Sequence, residues 1–217
     1  MNKHEILNYI APGDLVFDIG ANIGDKAAMI LETVQAKIIC VEPQSNCATI
    51  LRERFGNNPN VTILELGVAS KNEVNTLNIC QANTSLSTFS DKWKLGRFKD
   101  QQWNQTASIN MIPLDELIER FGIPRFCKID VEGFEVNVLL GLSKKVGIIS
   151  FEFTSEFIDD CFTCIQCLIS LGYRHFNLSV AENSTLHFPK FVKFEEIVQL
   201  LYNSRSTPGL WGDIYAN

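Results

Sequence analysis

The sequence lacks the long apolar runs that membrane helices and secretion signals require. No segment of the 217 residues approaches the ~18 consecutive apolar residues of a membrane span. The N-terminus, Met1-Asn2-Lys3-His4-Glu5, leads into a short mixed segment and not into an apolar signal core. These absences predict a cytoplasmic protein without a membrane span.

Positive charge is also scarce. The chain carries 19 Lys and Arg against 25 Asp and Glu, for a formal net charge of −6, and its pI is near 5.1. It lacks an extended basic stripe of the kind that binds nucleic acid, although Lys92 to Lys99 forms a local basic patch. We therefore expect a small or neutral substrate and no nucleic-acid partner.

The seven cysteines do not have the pattern of a disulfide framework, because their number is odd and they lie mostly within apolar runs. Cys161, Cys164 and Cys167 have the spacing of three iron–sulfur ligands, but Leu171 stands where a fourth would fall. The surrounding segment is apolar and has the composition of a helix. We interpret these cysteines as core residues and not as metal ligands.

Apolar runs alternate with helix-like segments along the chain. Because 46% of its residues are hydrophobic, a chain of this length is expected to form one domain over residues 1–217, with an N-terminal helix (His4 to Ile10) and a turn in residues 1–14. The pattern of apolar residues in the first half of the sequence predicts alternating strands and helices. These are the strands Leu15 to Ile19, Lys37 to Val41, Val61 to Leu66 and Val74 to Cys80, and the helices Asp25 to Val34 and Gln44 to Phe55.

The second half continues the alternation after an irregular region. Residues 81–105 are polar and carry Trp93 and Trp103. A loop of this length is typical of a lid, a substrate-binding loop or a disordered segment, and we expect a lid or a substrate-binding loop here. The strands predicted after it are Ser108 to Ile112, Arg125 to Ile129, Gly147 to Phe153, Tyr173 to Val180 and Trp211 to Tyr215. The helices predicted between them are Leu114 to Phe121, Phe134 to Leu142, Phe157 to Leu171 and Phe194 to Asn203.

The first strand ends in a turn that is typical of nucleoside-binding proteins. A dinucleotide fingerprint starting at Gly20 would need glycines at Asn22 and Asp25, so it fails twice. The S-adenosylmethionine pattern, an acid followed by alternating glycines, fits Asp18, Gly20 and Gly24. It fails only at Asn22, and asparagine tolerates the left-handed backbone region well. The alternative is an ordinary tight turn of another α/β protein.

Further cofactor-binding residues are predicted from their positions after strands. Glu42 ends the second strand, where nucleoside-binding folds place a carboxylate that accepts hydrogen bonds from ribose. Ala21 belongs to the turn, and Gly67 and Val68 follow the third strand, on the expected adenine side. A strand-ending charge without a ligand is the alternative for Glu42.

Three acids are candidates for the chemistry. Asp130, Glu132 and Glu152 follow or end two later strands, and the carboxyl ends of parallel strands border the ligand crevice. A carboxylate there can take the proton of a hydroxyl nucleophile. The same acids can hold a divalent cation or cap the following helix; we favour a site without a metal. His175 and His187 are alternative bases that the sequence does not place near the crevice.

The ordered set of motifs resembles the FkbM family of S-adenosylmethionine-dependent methyltransferases from Leu15 to Ala216. The motifs are Phe17-Asp18-Ile19-Gly20-Ala21-Asn22-Ile23-Gly24, Val41-Glu42-Pro43, Thr84-Ser85-Leu86, Lys128-Ile129-Asp130-Val131-Glu132-Gly133-Phe134-Glu135 and Gly212-Asp213-Ile214-Tyr215-Ala216. The resemblance implies a Rossmann-like class I methyltransferase fold, in which a seven-stranded, mostly parallel sheet has helices on both faces. It also implies S-adenosylmethionine as cofactor.

The resemblance further implies O-methylation of a hydroxyl on a small molecule or glycan. From their place in the long loop, the hydroxyls of Ser85, Ser87 and Thr88 are candidate contacts for the acceptor or the cofactor, with Ser85 and Thr88 taken as the acceptor contacts. Asp130 would border both the cofactor and the reacting atoms. A nicotinamide-dependent oxidoreductase and a non-catalytic nucleoside-binding domain are the alternatives. The sequence does not determine the acceptor, and an oligomer is possible. The Asn/Asp-Pro-Pro-aromatic segment of base-amine methyltransferases is absent after the strand that ends in Asp130.

Overall fold

A computed structural model of the chain describes residues 5–94, 98–181 and 185–217. The strands in these ranges are β1 (Leu15–Ile19), β2 (Lys37–Val41), β3 (Val61–Leu64), β4 (Gly67–Val68), β5 (Glu73–Ile79), β6 (Gln105–Ile112), β7 (Phe126–Ile129), β8 (Ile148–Thr154), β9 (His175–Val180), β10 (Val192–Lys193) and β11 (Trp211–Ala216). The helices are α1 (Asp25–Thr33), α2 (Ser45–Phe55), α3 (Leu114–Phe121), α4 (Glu135–Leu139), α5 (Ile158–Ser170) and α6 (Phe194–Ser204). Short 3-10 helices cover Glu5–Tyr9, Thr84–Leu86, Asp91–Lys94 and Ser155–Phe157.

The main sheet has β1 near its centre. Within the described ranges its order is β10-β9-β11-β8-β7-β1-β2-β3. The five strands from β8 to β3 are parallel, whereas β11 runs antiparallel between β8 and β9. Strands β2 and β7 are buried almost throughout, as continuous apolar runs predict for parallel strands covered on both faces. The expected α/β fold with a largely parallel sheet is confirmed.

The strand count differs from the expected seven in one detail. The two-residue strand β10 pairs with β9 and makes the eighth strand of the described sheet. It is too short for the side-chain alternation that reveals a strand in a sequence. The strand predicted from Ser108 begins earlier, at Gln105, and lies with β4 and β5 in a separate three-stranded sheet.

Two helices are also shorter or tighter than expected. Helix α4 covers only Glu135–Leu139: residues 130–134 form the loop that leads into it, and the chain turns at residues 140 and 141. The N-terminal helix is a 3-10 helix over Glu5–Tyr9, and His4 lies outside the described residues.

The described part of residues 81–105, called the cover below, contains two short 3-10 helices and is tied to the rest of the domain. A bridge between Asn78 and Thr88 ties its first part to β5. Trp93 is only 3% exposed. Its ring stacks on Phe98 at 5.0 Å and on Phe157 at 5.4 Å between ring centroids. This aromatic stack anchors the described part of the region against the domain body; residues 95–97 lie outside it.

The core packing predicted for Cys161, Cys164 and Cys167 is confirmed. All seven are free thiols. Cys161 and Cys164 are buried in the main hydrophobic core, and Cys167 packs against its edge. None of the described helices has the length and apolar character needed to cross a membrane.

Removing the hydroxyl of Tyr173 should destabilise this core. The side chain is fully buried, and its hydroxyl accepts from the Val146 N–H at 3.2 Å and lies 3.0 Å from the Gly147 carbonyl oxygen. Tyr173→Phe leaves these backbone groups unpaired, so we expect a loss of about 1 to 3 kcal/mol in the free energy of unfolding, measured with urea. Tyr202→Phe, at a side chain that is 60% exposed, is the matched control and should change it by less than about 0.5 kcal/mol. Equal effects of the two substitutions would contradict the described packing.

Candidate active site

A cavity of about 600 Å³ opens at the carboxyl ends of β1, β2, β7 and β8. This is the edge of an open α/β sheet at which ligands bind. The cavity brings together nearly all residues that the sequence nominated. They are Asp18, Gly20, Ala21, Asn22, Glu42, Gly67, Val68, Ser85, Asp130, Glu132 and Glu152.

The turn after β1 forms one wall of the cavity. Gly20 has φ 81° and its N–H donates to the Val41 carbonyl at 2.9 Å. A Cβ atom at this position would lie 1.8 Å from the carbonyl oxygen of Asp130, so only glycine fits. Asn22 has φ 48°, which is the left-handed conformation expected where it replaces a glycine. The close approach of Gly20 to Asp130 joins the turn to the acidic loop after β7.

Asp18 lies below this turn. The residue is 1% exposed, and neither carboxylate oxygen has a hydrogen-bond partner among the described residues. Burial raises the pKa of the carboxyl group, while the nearby ammonium of Lys128 acts in the opposite direction. A buried polar group is normally hydrogen-bonded, so this one indicates a place for a ligand that brings donors or positive charge.

Glu42 is held by the backbone on the other side of the turn. Its Oε2 accepts from the Asn22 N–H at 2.8 Å, and its Oε1 accepts from the Gln44 N–H at 2.9 Å. Burial raises the pKa of this carboxyl group to about 7, although these hydrogen bonds act against the rise. Oε1 also accepts from Nε2 of Gln44 at 3.3 Å. Oε2 keeps a second lone pair, so Glu42 still can accept a hydrogen bond from a ligand hydroxyl.

The three predicted acids meet at the far end of the cavity. Oxygen atoms of Asp130, Glu132 and Glu152 lie within 4.8 Å of one another. Glu132 has φ 56°, a conformation rare for a residue other than glycine. The buried carboxylate of Glu135 supports this turn, because it accepts from the N–H groups of Val131 at 3.1 Å and Gly133 at 3.2 Å. The arrangement concentrates negative charge beside the nucleoside-type turn.

Sequence comparison decides the family. The model of the FkbM methyltransferase domain matches residues 18–204. The chain belongs to the FkbM methyltransferase family. The expected resemblance is therefore confirmed over most of the chain, and the matched range contains all the cavity residues named above.

Solved structures of several methyltransferases are similar at low sequence identity. A precorrin-6y C5,15-methyltransferase from Geobacter metallireducens is 12% identical, with a TM-score of 0.49 over 99% of this chain and 86% of that one. An rRNA methylase from Streptococcus thermophilus is 11% identical (TM-score 0.46; 99% and 93% covered). An O-methyltransferase from Thermotoga maritima is 12% identical (TM-score 0.45; 99% and 62% covered). No curated protein matches the sequence at a significant level. The family match alone carries the assignment.

Lys128 is a residue of this FkbM-family cavity that the sequence reasoning missed. Its ammonium lies 2.6 Å from Oδ2 of Asp130, and the residue is only 7% exposed. In the sheet register Lys128 stands between Asp18 on β1 and Ser150 on β8, so these side chains share one face. Facing carboxylates raise the pKa of Lys128, although burial alone would lower it. A lysine inside the apolar strand Phe126–Ile129 was the available signal.

The position of Lys128 affects whether the acid cluster can bind a metal ion. The three acids are close enough to share a cation, but the ammonium already supplies positive charge to one of them. A second cation beside it would be repelled. The site without a metal therefore stays our prediction.

Gln44 is the second residue that the sequence reasoning missed. Its Nε2 donates to the Thr84 carbonyl at 3.0 Å, and its Oε1 accepts from the Ser87 hydroxyl at 2.8 Å. The same residue contacts Glu42 through its backbone N–H. Gln44 thus links the Glu42 end of the cavity to the 3-10 helix Thr84–Leu86. A lone glutamine before a helix gives no sequence signal for this role.

Of the two predicted acceptor contacts, Ser85 lies in the described cavity lining and Thr88 does not. Ser85 lines the cavity, and its hydroxyl accepts from Nδ2 of Asn22 at 3.2 Å. Thr88 is fully buried, and its hydroxyl donates to the Glu132 carbonyl at 2.6 Å. Thr88 therefore supports the acidic loop from behind, and it is absent from the described cavity lining. Neither His175 nor His187 occurs in that lining either.

The contact between Gly20 and Asp130 is tested by adding a methyl group. Gly20→Ala meets both the left-handed backbone and the Asp130 carbonyl. Gly13→Ala is the matched control, since Gly13 has φ 85° but nothing within 4 Å of its Cβ position. We expect the control to lose about 1 to 2 kcal/mol of unfolding free energy from backbone strain. Gly20→Ala should lose roughly 1 to 3 kcal/mol more from overpacking. Equal losses in urea unfolding would show that the close approach is not present.

Proposed function

We propose that this FkbM-family protein transfers a methyl group from S-adenosylmethionine to a hydroxyl oxygen of a small molecule or glycan. One observation carries the proposal. A single cavity joins a glycine turn with a buried, unpartnered acid, Asp18, to a cluster of three carboxylates. The first part suits a charged nucleoside cofactor, and the second suits removal of a proton from an acceptor.

The residues on the turn side fit the cofactor. Asp18 offers two free oxygens to an ammonium group, and opposite charges attract strongly in a buried site. Glu42 offers the second lone pair of its Oε2 to a ribose hydroxyl, and Gly67 and Val68 line the adjoining apolar wall. Close approach of a ligand to the backbone is possible at Gly20, where no side chain intervenes. S-adenosylmethionine supplies a methyl group on a positively charged sulfur.

The acid cluster provides the proton acceptor. A hydroxyl group is a weak nucleophile until its proton is removed during the transfer. Burial and the neighbouring carboxylates Asp130 and Glu132 raise the pKa of Glu152 well above its usual range. A raised pKa makes a carboxylate a stronger base near neutral pH. We assign Asp130, Glu132 and Glu152 to the catalytic group.

The remaining cavity wall supports a neutral acceptor. Phe89, Trp93, Phe98 and Trp211 line the cavity together with Ser85. Aromatic rings of this kind pack against the apolar faces of sugars and other ring systems, while hydroxyls bind the polar edges. The carboxylates would repel an acceptor that carries phosphate groups, and this is why we propose no nucleic-acid partner.

The alternative functions fit the site less well. A nicotinamide dinucleotide would place its pyrophosphate beside Asp18, where two negative charges would meet in a buried position. A non-catalytic nucleoside-binding domain would have no use for three clustered acids. Seven free thiols suit a reducing compartment, so we propose that the reaction takes place in the cytoplasm.

Cofactor choice is tested by calorimetry. The protein should bind S-adenosylhomocysteine and show no heat with NAD. Glu42→Ala removes an acceptor for ribose, and losing a hydrogen bond to a charged group should weaken the affinity about 10- to 100-fold. Glu53→Gln, at an exposed position of α2, is the control and should leave the affinity unchanged. Micromolar NAD binding without a response to S-adenosylhomocysteine would refute the proposed cofactor.

The acceptor atom is tested with labelled cofactor. Neutral glycans and hydroxylated metabolites should receive the methyl group as an ether that survives mild alkali, whereas a carboxylate acceptor would give an alkali-labile ester. With an acceptor in hand, at least one of Asp130→Asn, Glu132→Gln and Glu152→Gln should lower turnover by about 100-fold or more, as expected for loss of a catalytic base. Near-parent turnover in all three variants would remove these acids from the catalytic group.

A further inference from the structure

The cavity contains more negative than positive groups. Its described lining includes the carboxylates of Asp18, Asp25, Glu42, Asp130, Glu132 and Glu152, and the ammonium groups of Lys26 and Lys128. Charges of one sign in a partly dry cavity repel one another much more strongly than in water. This repulsion favours the protonated, neutral form of some of these carboxylates unless a ligand brings positive charge.

Glu152 is surrounded by like charges. It lies directly opposite Asp213 in the antiparallel pair of β8 and β11, and like charges in this arrangement repel. Burial and several neighbouring carboxylates together raise the pKa of Glu152. The charged and titratable groups that face it are Asp130 and Glu132 after β7, Glu135 on α4, Asp213 on β11, the thiols of Cys161 and Cys164 with Asp160 on α5, and Lys26 and Lys128 across the cavity.

Asp130 differs from Glu152 although the two belong to one cluster. The ammonium of Lys128 contacts Asp130 at 2.6 Å, whereas no described ion pair reaches Glu152. The geometry thus gives Asp130 a fixed counter-charge, and Glu152 has none among the described ion pairs.

We propose that Glu152 is coupled to the charge of the bound cofactor: it is ionised while the positively charged methyl donor is bound, and it holds a proton while the neutral product is bound. This inference rests on the proposed methyltransferase function. It extends that function by naming the proton acceptor and the condition under which it is ready to act.

The charges balance over the proposed step. The bond between the methyl carbon and the sulfur breaks, its electron pair stays on the sulfur, and a bond forms from the methyl carbon to the acceptor oxygen. The proton of the acceptor hydroxyl moves to Glu152. One positive and one negative charge disappear together, so the net charge of the cavity does not change. Glu152 then releases the proton when the next methyl donor binds.

Calorimetry of the whole protein tests this coupling without an acceptor. S-adenosylmethionine and S-adenosylhomocysteine differ only in the methyl group and its positive charge. Binding of each is measured at pH 7 in buffers of different ionisation enthalpy, which gives the number of protons exchanged. In the parent protein, S-adenosylmethionine should release about 0.3 to 1 proton more than S-adenosylhomocysteine. The ratio of the two affinities should then shift towards S-adenosylmethionine as pH rises, by up to about tenfold per pH unit.

Substitution of Glu152 tests whether the exchanged proton belongs to this residue. In Glu152→Gln the difference in proton number should fall to near zero and the affinity ratio should no longer depend on pH. Glu119→Gln, at an exposed position of α3, is the matched control and should behave like the parent. Equal proton numbers for the two cofactors in the parent would overturn the proposal, as would a difference that persists in Glu152→Gln.

This outcome is separable from the fate of the proposed function. A protein that binds neither cofactor loses both the function and the inference. A protein that binds both cofactors with equal proton numbers keeps the function and loses only the inference. If Glu152→Gln does not fold, the pH dependence of the affinity ratio in the parent still tests the coupling.

Discussion

Positive charge is scarce inside the cavity, and the ammonium of Lys128 is its most buried source. This group contacts Asp130 and stands beside Asp18 in the sheet register. A buried carboxylate without a counter-charge is unfavourable, and removing one partner of a buried pair leaves the other uncompensated. Lys128 therefore places positive charge at the carboxyl ends of both β1 and β7, on the cofactor side and beside the acid cluster.

Hydrogen bonds and one close backbone approach connect the parts of the site. Gly20 touches the carbonyl of Asp130, so the nucleoside-type turn and the acidic loop share a boundary. Thr88 donates to the carbonyl of Glu132, and Gln44 joins Glu42 to the 3-10 helix over the cavity. These contacts join the turn after β1 and the cover to the acidic residues of the cavity. A ligand that orders one of these elements is thus expected to order the others.

The sequence contained enough to predict the sheet and the turn. Continuous apolar runs place β1, β2 and β7 in a buried parallel sheet, and carboxyl ends of such strands meet at one edge, which is why Asp18, Glu42 and Asp130 could be grouped in advance. The cover was harder to predict. Trp93 packs by long-range aromatic stacking on Phe98 and Phe157, and local polarity in residues 81–105 hides such contacts. Gln44 and Thr88 act through partners distant in sequence, and their residue types alone give no sign of it.

The most direct test of the proposed site is a crystal structure of the protein with S-adenosylhomocysteine. The arrangement predicts that the ribose hydroxyls contact Glu42, that the amino group lies near Asp18, and that the sulfur faces Asp130 and Glu152. A nucleoside bound at another edge of the sheet, or a sulfur turned away from the acid cluster, would contradict the proposal that this cavity is a methyl-transfer site.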